Sequence, residues 1–479
     1  TELADIDHVA FYDKPLLTFD RLLETYFAFA PRGLRSFCTA MPTWLSSKLY
    51  QKRNILDALR QREPAFDADR LLFAQHHQSH AASAFYPSPF EESLILTMDG
   101  VGEWATTTLA LGRGSSIEPV QELRFPHSLG LLYSAFTSYL GFVVNSGEYK
   151  VMGLAPYGEP RYRAQITEQL IDLKEDGSFR LNMRFFDYCT GLTMTNRRFH
   201  RVFGGPPRVR DSALEPRHLD LAASIQSVTV EVITRLVRAA VERYPQRNLC
   251  LAGGVALNCA ANGELLRQGI VDRIWVQPAA GDAGGALGAA YAAYHQFAEQ
   301  PRRVATESDG MHGSRLGPEY ATEDVKARLT GLGAVFQVLG EQELLDQVCD
   351  DLEQERIVGW MQGRLEYGPR ALGARSILAD PRSPRAQRAV NLKIKNRESF
   401  RPFAPAVLEE KASDWFDLDG PSPYMSFVVH VAEGARLDVD PDVAAAAVGL
   451  DKLDVVRSTI PAVTHVDGSS RVQTVSAQT

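Results

Sequence analysis

Two stretches of this chain carry the same instruction, an apolar strand followed by a glycine turn and a helix. Asn248–Ala252 runs into Gly253-Gly254 and a helical pattern over Ala256–Gln268, and Arg273–Gln277 runs into Gly281-Asp282-Ala283-Gly284-Gly285-Ala286 and an alanine-rich helix. Units of this kind imply an α/β domain with a parallel sheet, whose ligands sit at the carboxyl ends of the strands. The same alternation occurs upstream. Leu71–Ala74 reads as a strand, His76–Tyr86 as a helix, and Ser93–Met98 as a strand ending in Asp99-Gly100, with Thr106–Leu111 and Pro119–Leu123 as hairpin partners. Residues 1–70 read mainly as helix after a strand at His8–Phe11, and Leu219–Tyr244 as one long amphipathic helix.

A chain of 479 residues with 45% hydrophobic content exceeds one ordinary domain. Pro301, Gly310, Gly313 and Gly317 among polar residues mark a linker over 301–320, dividing a domain at 1–300 from a second α/β module at 321–479. There is no run of about 18 apolar residues and no charged-then-apolar leader, so neither a membrane span nor a signal peptide is expected. Five cysteines without a CxxC pair fit a reducing, cytoplasmic location. A net charge of -8 repels a phosphate backbone, which disfavours nucleic acid as partner.

Four constellations carry chemistry. His76 and His80, in His76-His77-Gln78-Ser79-His80, stand four residues apart and share one helix face. A lone helical histidine is more often a surface or capping residue. Here Asp99 and Asp282 stand at strand ends on the same side of the sheet, and two imidazoles with two carboxylates suit Fe(II), Mn(II) or Zn(II) alike. Secondly, the turns at Gly253-Gly254…Asn258 and Gly281…Gly284-Gly285 leave amides uncovered at helix starts, a seat for phosphate, although close packing explains many such glycines.

The third constellation is a basic stretch. From Arg364 to Arg401 ten basic residues meet three acidic ones, 10 - 3 = +7, inside a protein of -8. Arg364, Arg370, Arg375, Lys393, Lys395, Arg397 and Arg401 are expected to converge on a phosphorylated or carboxylated ligand. Lastly, Gly147 to Gly158 places Glu148 and Lys150 in a Gly/Pro-rich loop; Lys150 is a candidate phosphate contact and Glu148 a candidate substrate contact, and the bland alternative is an ion pair between them.

Taken in order, HHQSHAASAFYPSPF, LTMDGVGE, GEYKVMGLAPYG, LAGGVALNC, GDAGGALGAA, GRLEYGPRALGARSI and KNRESFRPFAPAVL resemble the O-carbamoyltransferase family of antibiotic-tailoring and nodulation-factor enzymes, from about Leu71 to Thr474. The resemblance implies an N-terminal acetate-kinase/Hsp70/actin-like domain and a C-terminal YrdC-like domain. It implies that the latter releases phosphate from carbamoyl phosphate and joins carbamate to ATP, and that the carbamoyl adenylate then serves a small-molecule hydroxyl acceptor. By the family's motifs His76, His80, Asp99 and Asp282 are the metal ligands. Gly253, Gly254 and Asn258 lie along the nucleotide, and Arg364 with the 393–401 cluster holds carbamoyl phosphate. Fe(II) or another divalent transition metal, and Mg with ATP, are the expected ions.

The sequence departs from the family at both ends. The family opens with a strand carrying a His-Asp pair and closes with an Asn-Thr-Ser-Phe-Asn loop, and neither is in this sequence, so either a fragment or a sequence limited to its ordered residues is expected. Rival readings differ in acceptor or class. A threonylcarbamoyl-type transferase acting on tRNA is disfavoured by the acidic charge, a hydrogenase-maturation carbamoyltransferase by the lack of CxxC motifs, and a nonenzymatic actin-type switch by the second anion-binding module.

Overall fold

The computed structural model describes residues 2–304 and 308–476. The chain forms two compact units, the first running to Gly310 and the second from Met311. Among the described residues no helix is long and apolar enough to cross a membrane.

The first unit opens with β1 (Val9–Phe11) and the helices α1 (Pro15–Phe29), α2 (Leu34–Ser46) and α3 (Gln51–Arg60). Then come β2 (Leu71–Phe73), α4 (His76–Phe85), β3 (Glu92–Met98), β4 (Ala105–Arg113) and β5 (Ser116–Arg124). A helical layer follows: α5 (Leu129–Tyr139), α6 (Glu148–Leu154), α7 (Arg163–Gln165), a small hairpin β6 (Ile171–Leu173) and β7 (Phe179–Leu181), α8 (Arg197–Val202) and the long α9 (Pro216–Arg243). The unit closes with β8 (Asn248–Ala252), α10 (Cys259–Gln268), β9 (Arg273–Val276) and α11 (Asp282–Ala292).

Its main sheet has the order β5-β4-β3-β8-β9. β3, β8 and β9 run parallel, with Leu94 opposite Leu249 and Leu251 opposite Val276, while β4 and β5 fold back antiparallel. The mixed sheet follows from composition. β3 is covered on both faces, every residue after Glu92 being buried, which is why it reads as a continuous apolar run, whereas β5 alternates with charged residues at the edge. β1 pairs parallel with β2, as Val9 to Leu71 and Phe11 to Phe73.

Two close approaches draw the functional elements together. α11 is made of small residues, and a Cβ on Gly288 would lie 1.7 Å from the Ser79 carbonyl oxygen, so α4 and α11 meet backbone against backbone. Gly253, at the end of β8, has φ +85° and packs so tightly that a Cβ there would lie 2.1 Å from the Met98 carbonyl oxygen. The helix expected from Ala256 begins later: Gly254–Leu257 is a 3-10 turn, and α10 starts at Cys259 with Asn258 as its cap.

The stretch expected as a linker is divided between the units. Arg302 donates from Nη1 to the Phe90 carbonyl at 2.8 Å and from Nη2 to the Phe85 carbonyl at 2.6 Å, and Gly310 donates to the Pro87 carbonyl at 2.7 Å. These bonds fasten it to the α4–β3 turn, where one guanidinium reaches the carbonyls of Phe85, Tyr86, Ser88 and Phe90 at once.

The second unit contains α12 (Thr322–Gly331), α13 (Glu341–Glu353), β10 (Val358–Met361), β11 (Arg375–Leu378), α14 (Ala386–Ala389), β12 (Ala406–Leu408), α15 (Ala412–Trp415), β13 (Val428–His430), α16 (Pro441–Ala446), β14 (Ser469–Arg471) and β15 (Gln473–Val475). Its strands form antiparallel β10–β11, parallel β12–β15 and antiparallel β13–β14 pairs. Phe400, Phe416, Val431 and Val472 anchor its core.

Candidate functional site

His76 and His80 start α4 directly after β2, Asp99 follows the last residue of β3, and Asp282 is the first residue of α11. One ligand atom from each lies within 4.8 Å of all the others. His76 Nε2 stands 3.1 Å from Asp99 Oδ2 and 3.6 Å from Asp282 Oδ1, and His80 Nε2 stands 3.6 Å from Asp282 Oδ1. The two imidazole Nε2 atoms are 3.1 Å apart. Donors around one ion at about 2.1 Å stand roughly 3.0–3.4 Å from one another, so this group fits a single divalent ion.

The electrostatics follow from burial. Burial pulls the His80 imidazole down, but hydrogen bonding to Asp282 and Asp99 outweighs it and carries it up to about 9. Burial opposes charge on Asp99 too, yet the flanking histidines hold its carboxyl well below the usual range. His77, beside them, is pushed down to about 3 by burial and by the neighbouring imidazoles, and its Nδ1 meets Thr108 Oγ1 at 2.7 Å. It is thus a neutral ring held by β4.

The glycine turns border this cluster. The Gly254 amide donates to Asp99 Oδ1 at 3.0 Å, which puts the β8 turn against the cluster. Gly284 and Gly285 are glycines for packing, since a Cβ would lie 2.2 Å from the Ala279 carbonyl oxygen and 3.0 Å from the Tyr12 ring respectively; Gly281 is the cap residue of α11. Asn258 accepts from the Ala261 amide at 3.1 Å and pairs through both amide atoms with Gln226, at 2.9 and 3.0 Å. Its side chain is committed to capping and to α9.

Glu148 accepts from Ser134 Oγ at 2.7 Å and from the amides of Asn145 and Gly147, a cap whose donor partners spacing alone cannot distinguish from a ligand. Lys150 Nζ lies 5.6 Å from the centre of the Phe142 ring.

In the second unit the basic stretch separates into groups. Arg370 donates to the Tyr424 carbonyl at 3.2 Å, and Arg375 donates to three backbone carbonyls of its own loop, of Gln362, Gly363 and Ala374. Glu366 Oε1 receives the amides of Leu372, Ala374 and Arg375, so the loop is wound around one carboxylate. Arg364 is exposed and donates to the Gly317 carbonyl at 3.1 Å. Lys395, Arg397 and Arg401 lie close enough that burial, then the charges of Arg397 and Arg401, lower the Lys395 ammonium. Arg397 is held by Asn391 Oδ1 at 2.6 Å and by the Phe403 ring. Lys393 faces a cavity of about 500 Å³ together with Arg388, Leu392 and Val456.

One residue of the site received no role from the sequence. Glu103 belongs to the quoted run LTMDGVGE, is buried, and accepts the His76 amide. The only signal was an acidic residue in a glycine turn next to Asp99.

Comparison with known proteins bears on the family of the whole chain. A family model described as carbamoyltransferase N-terminus matches residues 1–291, and one described as carbamoyltransferase C-terminus matches residues 349–479. An uncharacterized protein of Synechocystis sp. is 56% identical, over 100% of this chain and 78% of its own length. Nodulation protein NolNO of Sinorhizobium fredii is 36% identical over 99% of this chain and 63% of its own length. Nodulation protein NolO of Bradyrhizobium diazoefficiens is 38% identical, over 84% of this chain and 68% of its own length. Matched in both halves by these family models, the chain belongs to the carbamoyltransferase family and is a transferase.

Proposed function

We propose that this carbamoyltransferase converts carbamoyl phosphate and ATP to carbamoyl adenylate and transfers the carbamoyl group to a hydroxyl of a small-molecule natural product, in antibiotic biosynthesis. The observation that carries the reading is the gathering of His76, His80, Asp99 and Asp282 beside the Gly253-Gly254 turn. Finer fold assignments go with it: an acetate-kinase/actin-like first unit and a YrdC-like second unit. Free cysteines, three of them buried, support a cytoplasmic location.

In the second unit, water cleaves carbamoyl phosphate to carbamate and phosphate, a carbamate oxygen attacks the α-phosphorus of ATP, and pyrophosphate leaves. Lys395, Arg397 and Arg401 would hold the anionic reactants, and the exposed Arg364 would bind phosphate oxygens. Magnesium would accompany the nucleotide. In the first unit the acceptor oxygen attacks the carbamoyl carbon, AMP leaves, and the hydroxyl proton passes to a base. His76, His80, Asp99 and Asp282 would hold Fe(II) or another divalent transition metal, which when bound supplies positive charge to oxygens that become negative in the transition state. Gly254, whose amide faces Asp99, would border the nucleotide phosphate.

The test is incubation with ATP, carbamoyl phosphate, Mg(II) and Fe(II), following pyrophosphate and carbamoyl adenylate by mass spectrometry. Adenylate that forms with the native chain and is lost in Arg364→Ala supports the reading. Nucleotide left intact by the native chain overturns it. The acidic net charge of -8 weighs against tRNA as the acceptor.

A further inference from the structure

The turn joining β3 to β4 carries two carboxylates. Asp99 meets the ring of His76, with Oδ2 3.1 Å from Nε2. Four residues on, Glu103 turns the other way and meets the backbone of the same residue, its Oε1 and Oε2 accepting the His76 amide at 3.0 and 3.1 Å. Glu103 Oε1 also accepts the Lys14 amide at 3.0 Å, and Lys14 is the cap residue of α1. One carboxylate therefore closes the amino ends of two helices, α1 and α4, each of which presents uncovered amides and partial positive charge there.

Glu103 is 7% exposed, so it is closed to solvent and to a bulky acceptor. Gly102 keeps the turn pressed on the helix, for a Cβ there would lie 3.0 Å from His76 Cβ. The Arg21 guanidinium, on α1, lies within electrostatic reach of both Asp13 and Glu103 and balances their charge. The Tyr12 ring packs against the His76 ring, with centroids 5.8 Å apart.

We infer that Glu103 is a positioning residue for the metal site: by pinning the His76 amide to the turn that bears Asp99, it fixes the first histidine relative to the first carboxylate before any ion arrives. The inference rests on the metal reading of the four-residue cluster. A preformed cage binds more tightly than one that must be assembled, and residues that orient ligands typically contribute about 10–100-fold in metal affinity.

The experiment is titration of the metal-free chain with Mn(II), following the free ion by electron paramagnetic resonance at low temperature, with near-ultraviolet circular dichroism as the record of folding. Glu103→Ala is expected to bind at least about tenfold more weakly than the native chain. Glu103→Gln keeps the Oε1 acceptor and is expected to fall between the two, which keeps the question open to test where the alanine variant does not fold. Phe199→Leu loosens the core elsewhere in the unit and is expected to leave affinity unchanged. Native-level affinity in both Glu103 variants overturns the inference while leaving the metal reading intact, and so does an equal loss in Phe199→Leu. A native chain that takes up neither Mn(II) nor Fe(II) overturns the metal reading and the inference with it.

Discussion

The Nε2 atoms of His76 and His80 face one another at 3.1 Å in the protein interior. Two imidazole lone pairs do not remain at that distance with nothing between them; a proton or a cation must lie there. Without metal that charge is a proton on His80, whose imidazole hydrogen bonding to Asp282 and Asp99 carries up to about 9 against the pull of burial. A cation displaces it.

From this relation follows the behaviour of the ligand variants. His80→Ala and Asp99→Asn are expected to lose Mn(II) or Fe(II) binding by on the order of 100-fold or more. In the native chain an ion at 100 times its dissociation constant adds about 2.7 kcal/mol to stability, so a chelator lowers the melting temperature of the native chain and leaves that of His80→Ala where it was. Differential scanning calorimetry with and without chelator makes the comparison.

Gly253 and Gly269 both have positive φ, +85° and +59°, but only the first is crowded. Gly253→Ala is expected to cost roughly 3 kcal/mol or more, because strain adds to a collision with the Met98 carbonyl. Gly269→Ala meets open space and costs about 1–2 kcal/mol. Urea unfolding midpoints measure both.

Burial pushes the Cys250 thiol from its ordinary 9.0 up to about 11. The unfolded chain therefore releases this proton first, so the folded state holds more protons between pH 9 and 11. Stability from this source is complete below pH 9 and is lost as pH rises through that window. Cys250→Ala is expected to flatten the decline in urea midpoint between pH 8.5 and about 10.5. Under native conditions Cys38 and Cys349, which are exposed, react rapidly with a thiol reagent and Cys250 does not.

Arg397 reaches its place by stacking on Phe403 and donating to Asn391, a geometry that a lysine ammonium does not reproduce. Arg397→Lys is expected to reduce pyrophosphate release about tenfold or more, in line with the loss of a charge-assisted hydrogen bond. Lys393→Ala, at the rim of the neighbouring cavity, is expected to change it less. Initial rates at saturating ATP and varied carbamoyl phosphate decide between the two.

Much of the first unit was legible because its strands, turns and helix starts depend on local periodicity. The i, i+4 spacing of the histidines and the strand-end position of Asp99 place all three on one side of a sheet from sequence alone. What sequence could not show was the use of a polar group whose partner lies far along the chain. Glu148, Asn258, Arg370 and Arg375 carry the same donors and acceptors whether they serve a ligand or a backbone, and the structure gives them backbone and side-chain partners. Glu103 failed in the opposite sense: its two partners, Lys14 and His76, lie 89 and 27 residues away, and no spacing rule reaches them.

The contact between Gly288 and the Ser79 carbonyl bears on how such an enzyme can change. Because α4 and α11 meet backbone against backbone at this point, the gap between the histidine pair and Asp282 is set by a ruler that substitution elsewhere on either helix does not lengthen gradually. A descendant can exchange one donor atom for another and so shift its taste in ions; it cannot enlarge the cage by small steps, since the first methyl group at position 288 would prise the two helices apart.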